Sequence, residues 1–217
     1  MSRRGEDEWI DVRIKALSDD RDELLHAFEA AGAPAASQPR TKRMAGAAIH
    51  PHISRGVMMS VHATGEPRLH QISISDGGVP KVAVPHAEIT AAGVTGDRQR
   101  NPDIHGGPDR AVCLYSLDVI QALRAEGHPI APGSTGENLT LAGIDWTRIK
   151  PGVRLRVGPV RLEIVSYTAP CVHNGRWFLN EDFSRMSQKK FPGWSRVYAR
   201  VLTEGTVGAG DPVEFDT

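Results

Sequence analysis

The sequence predicts a mainly β protein: a closed or partly closed β-barrel with a few helices, preceded by a small N-terminal strand and helix extension. Three observations carry this expectation. From Val57 onward, runs of strand length place β-branched or aromatic residues at alternate positions. Gly- and Pro-rich turn signals stand between the runs, and a single segment has helical spacing with a stop at each end. Many short strands favour closure, because closure removes unpaired sheet edges.

The chain has 217 residues, 40% of them apolar, which suits one domain plus an extension. Within residues 1–55, WIDVRIKAL alternates Ile10, Val12 and Ile14 like a half-buried strand. Asp20 and Glu23 resemble a capping box that opens a helix through Leu24, Leu25 and Phe28, with Gly32 as its stop. GAPAASQPRTKRMAGAAIHPHISRG follows without periodicity and has the composition of a linker. The main domain is therefore expected over 56–217. Its strands are VMMSVH, LHQISIS, AVCLYS, ENLTL, VRLRVG, VRLEIVSY and RVYARVL, with turns at 76–78, 106–108, 132–133, 151–152 and 158–159. The helix runs from a Ser116 cap through Val119, Ile120 and Leu123 to Gly127.

Charge narrows the function classes. Lys and Arg total 26, as do Asp and Glu, so the totals carry no basic excess of the kind that marks a nucleic-acid or membrane surface. No apolar run is long enough to cross a bilayer and the N-terminus lacks a secretory signal, so a cytoplasmic protein is expected. Two cysteines far apart, without CxxC spacing, argue against a disulfide framework or a structural zinc site. His50 and His52 look like a metal pair but lack a third ligand.

Chemistry-bearing residues concentrate in four turns: GGVPK at 77–81, GVTGDRQRNPDIHGGPDRAV at 93–112, PGSTGENL at 132–139 and TAPCVHN at 168–174. Together they supply the thiol of Cys171, the cations Lys81, Arg98 and Arg110, the imidazole of His105, the carboxylates Asp97, Asp109 and Glu137, and the amide of Asn138. Such a set suits an anionic, soft ligand: thiolates bind soft metal centres, and Lys and Arg answer phosphate. Plainer readings stay open on residue types alone. Cys171 is either a small buried filler or a thiolate held on a loop; His105 either satisfies a tight turn or titrates; Glu137 and Asn138 either bond backbone or face a ligand. Cys113, inside AVCLYS, reads as core filler.

The ordered combination of GGVPK, GVTGDRQ, HGGPDRAVCLYS, PGSTGENLTLAGIDW and PGVRLRVGPVRLEIVSYTAPC, closing with VYARVLTEGTVGAGDPVEF, resembles the MOSC domain. That family is named after the C-terminal domain of molybdenum cofactor sulfurase. The resemblance covers about 69–215 and is closest in kind to stand-alone bacterial members similar to the hydroxylaminopurine-resistance proteins. It implies a strand-rich barrel and the molybdenum cofactor, a molybdopterin. Carried over residue by residue, it places the family's cysteine at Cys171, its HGG turn at His105, Gly106 and Gly107, its GEN loop at Gly136, Glu137 and Asn138, its lysine at Lys81 and its aspartate at Asp97, which marks these positions as cofactor-binding or catalytic. With that cofactor, Cys171 is expected as metal ligand and catalytic residue, His105 or Glu137 as catalytic proton donor, and Lys81, Arg98 or Arg110 as holders of the cofactor's phosphate. No aminotransferase-like region precedes the domain, so pyridoxal phosphate is not expected.

Three functions are compatible with that resemblance. The first is a molybdenum-dependent reductase of N-hydroxylated compounds, supplied with electrons by a partner protein, since the sequence has no flavin, haem or iron–sulfur ligation pattern. The second is a sulfur carrier that holds a persulfide on Cys171 and receives it from a sulfur-donor protein. The third is a non-catalytic cofactor-binding module. None of them requires nucleic acid or a membrane.

Overall fold

The computed structural model describes residues 65–101 and 105–216. The readings made above for residues 1–55, and the VMMSVH strand at 57–62, lie outside the described residues. Among the described residues there are eleven strands: β1 (Arg68–Ile74), β2 (Val82–Val84), β3 (His86–Thr90), β4 (Gly93–Val94), β5 (Val112–Ser116), β6 (Leu139–Ala142), β7 (Arg154–Val157), β8 (Val160–Tyr167), β9 (Val197–Thr203), β10 (Gly205–Gly208) and β11 (Val213–Phe215). One α-helix, α1 (Leu117–Ala125), joins β5 to β6, the one parallel pair in the described sheets. Among the described residues no helix is long and apolar enough to cross a membrane.

Alternation explains the outer strands, and burial on both faces explains the inner ones. β7 reads Arg-Leu-Arg-Val with its arginines exposed and Leu155 and Val157 buried, the pattern of a sheet with one wet face. Every residue of β5 and β6 is buried, because these strands lie inside the eight-stranded order β11-β7-β8-β9-β5-β6-β1-β2. A second sheet, β10-β3-β4, has three strands. α1 begins where the Ser116 hydroxyl accepts a hydrogen bond from the Val119 amide at 3.3 Å. It ends in a Schellman arrangement, with Gly127 N–H donating to Arg124 O and His128 N–H to Leu123 O. Gly127 has φ +94°, a conformation glycine reaches without a Cβ penalty.

The mainly β architecture is the expected one, but the large sheet does not close into a barrel; its outer strands are β11 and β2. Where the ends approach, β1 and the start of β11 share only local bonds. Leu69 N–H donates to Asp211 O, Gly210 N–H to Leu69 O and Val213 N–H to Pro67 O, at 2.7 to 3.1 Å. Pro67 and Pro212 flank this seam and carry no N–H, so a continuous ladder would lack a donor at each of these two positions.

The long segment between β8 and β9 contains no strand and runs as short 3-10 turns. Two core aromatic residues hold its far end. Tyr115 Oη donates to Trp194 O and Trp146 Nε1 to Ser195 O, both at 3.0 Å, and the two rings meet edge to face with centroids 6.4 Å apart. These anchors fix Ser195 and Arg196 just ahead of β9, where the chain re-enters the sheet.

Candidate functional site

The loops at 75–81, 97–101, 105–110, 135–138 and 171–176, together with Arg196 and Tyr198, surround a pocket of about 880 Å³. Among the described residues six cations line it, Lys81, Arg98, Arg100, Arg110, Arg176 and Arg196, against a single carboxylate, Glu181. A chain with zero formal charge has therefore gathered positive charge in one concavity, which favours an anionic occupant.

Of the residues singled out in the sequence, Lys81, Arg98, His105, Arg110, Gly136, Asn138 and Cys171 all line this pocket. Cys171 is half-buried. It follows Pro170 and stands at the start of the 3-10 turn Val172–Trp177 in extended backbone, φ −117° and ψ 140°. Its carbonyl accepts from the Asn174 amide at 2.9 Å. Asn174, itself buried, turns its side-chain amide to the Met186 sulfur at 3.8 Å, so the turn that presents the thiol is held from beneath. Cys113 is buried as expected of core filler, yet it also contributes to the pocket lining, and burial pushes its thiol pKa up.

Asp97 and Asn138 form a bracket. Asp97 Oδ1 accepts from the Ser75 amide at 2.8 Å, and Oδ2 accepts from Asn138 Nδ2 at 2.9 Å and from Lys81 Nζ. The Lys81 and Asp97 side chains are only 8% and 3% exposed. Asn138 Oδ1 in turn accepts from the Cys113 amide at 3.1 Å, and its Nδ2 also donates to Ser73 O at 3.3 Å. One amide thus ties β1, β5 and β6 together while Asp97 aims the lysine.

Four expected site residues do not line the pocket. Asp97, expected to bind the cofactor, stands behind it with its carboxylate given to Ser75, Asn138 and Lys81. Glu137, expected as a proton donor, is wholly buried. Its carboxylate accepts from the Gly133 amide at 2.6 Å and from the Thr135 hydroxyl at 2.8 Å, which commits it to shaping its own loop. That loop needs its glycines. A Cβ at Gly133 would sit 2.5 Å from Lys81 O, and one at Gly136 would sit 2.9 Å from Val79 Cγ1, both at positive φ. Gly106 and Gly107 likewise lie outside the lining; Gly107, at φ +92°, opens the 3-10 turn Pro108–Arg110 that carries Arg110.

Arg196, Tyr198, Arg100, His173 and Arg176 line the pocket and were not singled out in the sequence. Arg196 is the most unusual of them. It is 6% exposed, donates from Nη1 to Thr135 O, has no hydrogen-bond partner at Nε, and among the described residues meets no carboxylate. His105 Nδ1 is 3.0 Å from the Tyr198 hydroxyl. Burial first, then Arg196, Arg110, His173 and Lys81, hold the His105 pKa below its ordinary value. Burial above all pushes Tyr198 up to about 12. Arg176 reaches across to Val79 O, which links the cysteine turn to the lysine loop. The available signal for Arg196 and Tyr198 was parity: both share one face of the β9 approach, but a polar face reads as a solvent face until a pocket is found on it.

The fold and the site together define a β-sheet protein with a thiol-bearing, cation-lined pocket. The chain belongs to the MOSC domain family, whose model matches residues 101–214. It is 28% identical over 132 residues to the protein YiiM of Escherichia coli, the match covering 58% of each. It is 31% identical over 122 residues to the uncharacterized protein YflK of Bacillus subtilis, covering 55% of this chain and 54% of that protein. A protein named reductase from Gibberella moniliformis is 30% identical over 132 residues, covering 58% of this chain and 23% of its own length. The chain thus spans only about half the length of the first two relatives. Among solved structures, YiiM from Geobacillus stearothermophilus aligns with TM-score 0.56 and 21% identity, covering 70% of this chain and 75% of that one, and shares the fold.

Proposed function

We propose that the pocket holds a molybdenum cofactor, with the Cys171 thiolate as the protein's ligand to the metal, and that the protein is a molybdenum-dependent reductase of N-hydroxylated compounds. The single observation that carries this reading is Arg196, a buried guanidinium without a carboxylate partner among the described residues, in the same pocket as a half-buried thiol. An unpaired buried cation costs free energy that an arriving anion offsets, and a planar guanidinium suits phosphate geometry. The donor set fits the group. Lys81, Arg196 and Arg110 would meet its anionic end, and a thiolate is a fitting ligand for a soft or high-valent metal. Among the described residues no cluster of three or more His, Cys, Asp or Glu side chains could hold a metal alone, so a metal here would bring further ligands with it, as an organic cofactor does.

When bound, the cofactor would supply the redox chemistry, with electrons drawn from a partner protein. The chain's own residues bind and orient. Asp97 and Asn138 keep Lys81 directed, Arg176 closes the cysteine turn against the Val79 loop, and His105 offers a ring edge to the ligand. The name reductase on one relative supports the choice of reaction class.

Molybdenum and pterin content of the full chain, purified from a host able to make the cofactor, tests the reading. About one of each per chain is expected, with loss of both in Cys171→Ala. Metal far below that level, accompanied by cyanide-labile sulfur on Cys171, would overturn it in favour of a persulfide carrier.

A further inference from the structure

Tyr198 on β9 lies directly across the ladder from Cys113 on β5, and both line the pocket. The Tyr198 hydroxyl is 3.0 Å from His105 Nδ1. Among the described residues neither that hydroxyl nor the Nε2 edge of His105 has another hydrogen-bond partner. A phenol can donate and accept, whereas a neutral imidazole carries one donor nitrogen and one acceptor nitrogen, so the pair has two arrangements. In one, Nδ1–H donates to the phenol oxygen and the phenol proton is left without an acceptor in a half-buried place. In the other, the phenol donates to Nδ1, and the donor left over is Nε2–H on the less deeply buried of the two groups, where solvent or a ligand can accept from it at less cost.

Burial and surrounding charge keep the ring in the neutral form, in which the choice of tautomer exists. The groups acting on His105 are Arg196, Arg110, His173 and Lys81. They favour a neutral ring, while burial keeps the phenol protonated. Neither partner can meet its hydrogen-bonding need by ionising.

We propose that Tyr198 is a positioning residue, whose O–H donates to Nδ1 of His105, keeps the proton of the neutral ring on Nε2, and so makes His105 a directional donor to an oxyanion-bearing ligand in the pocket. The cations around it provide charge without fixed direction; an imidazole N–H adds a defined vector, and one that a ligand offering only donors cannot use. The consequence for ligand choice rests on the anionic pocket described above. The tautomer itself is a property of the ligand-free chain.

Nitrogen-15 NMR of His105 in the full ligand-free protein, above its titration midpoint, tests the assignment directly. Protonated Nε2 and bare Nδ1 are expected. Tyr198→Phe should convert the ring to a tautomer mixture and raise its titration midpoint, because the bond favouring the neutral ring is gone. Inorganic phosphate should shift the Nε2–H signal in the wild-type protein. A protonated Nδ1 in the wild type, a ring indifferent to Tyr198→Phe, or an Nε2–H blind to phosphate would each overturn the proposal. The wild-type measurement stands even if the variant folds poorly. Purified protein devoid of molybdenum but showing the expected tautomer would count against the cofactor reading and for Tyr198.

Discussion

In one part of the pocket Lys81 meets Asp97, whose remaining bonds go to Asn138 and the Ser75 amide. In another, Arg196 is about as buried but among the described residues meets only a carbonyl oxygen. The two cations sit in similar seclusion and differ in whether the fold has provided their counter-charge. A buried pair contributes to architecture, and its rupture strands a charge; a buried cation without a carboxylate is paid for by whatever anion the pocket receives. Lys81 is thus aimed, and Arg196 is reserved.

Three substitutions or conditions sharpen or break that contrast. The largest effect is expected from Asp97→Ala, which leaves the Lys81 ammonium buried and unpaired and removes acceptors from Ser75 and Asn138. A loss of about 3–5 kcal/mol is expected in urea unfolding; a loss under about 1 kcal/mol would mean that water already reaches the pair.

Arg196→Met should behave in the opposite way. Removing an unpaired buried charge and one hydrogen bond should change stability by less than about 2 kcal/mol, while affinity for an anionic ligand falls by about tenfold or more. Calorimetric titration with inorganic phosphate and urea melts read the two quantities separately. If this variant unfolds as readily as Asp97→Ala, the distinction between the two cations collapses.

The smallest effect concerns pH. His105 has its folded pKa below the ordinary 6.5, so on acidification the unfolded chain takes up this proton before the folded one does. Stability should therefore fall as pH drops below about 6.5 toward the folded pKa, and His105 should add no slope above that range. His105→Gln should remove this component from a pH series of melts. A bound anion should weaken it by offsetting the cations around the ring.

Much of the main domain was legible because its determinants are local. The alternation in VRLRVG and VRLEIVSY and the caps at Ser116 and Gly127 needed no tertiary knowledge, and β7, β8 and α1 stand where they predict. β2, β10 and β11 escaped notice because three or four residues, some of them glycine, hold too little pattern. Closure could not be read, because prolines at 67 and 212 act only when the fold brings them to one seam. In the site, the turn residues Lys81, His105, Gly136 and Cys171 converge as their clustering in Gly-rich loops implied. The direction of a side chain is another matter: GEN marks a tight loop, but only the fold reveals that Asn138 lines the pocket with its amide tied to Asp97, Cys113 and Ser73, while Glu137 turns back on Gly133 and Thr135. Arg196 was hidden for the reverse reason, since a strand-borne arginine ordinarily marks solvent.

The Pro-flanked seam also governs how the molecule meets its neighbours in concentrated solution. Each outermost strand of the large sheet, β2 and β11, is only three residues long, and Pro212 directly precedes β11 while Pro80 and Pro85 bracket β2. A foreign strand would find too short a template there to recruit further chains. Among the described residues the sheet keeps two uncovered margins, and proline makes both of them poor seeds for aggregation.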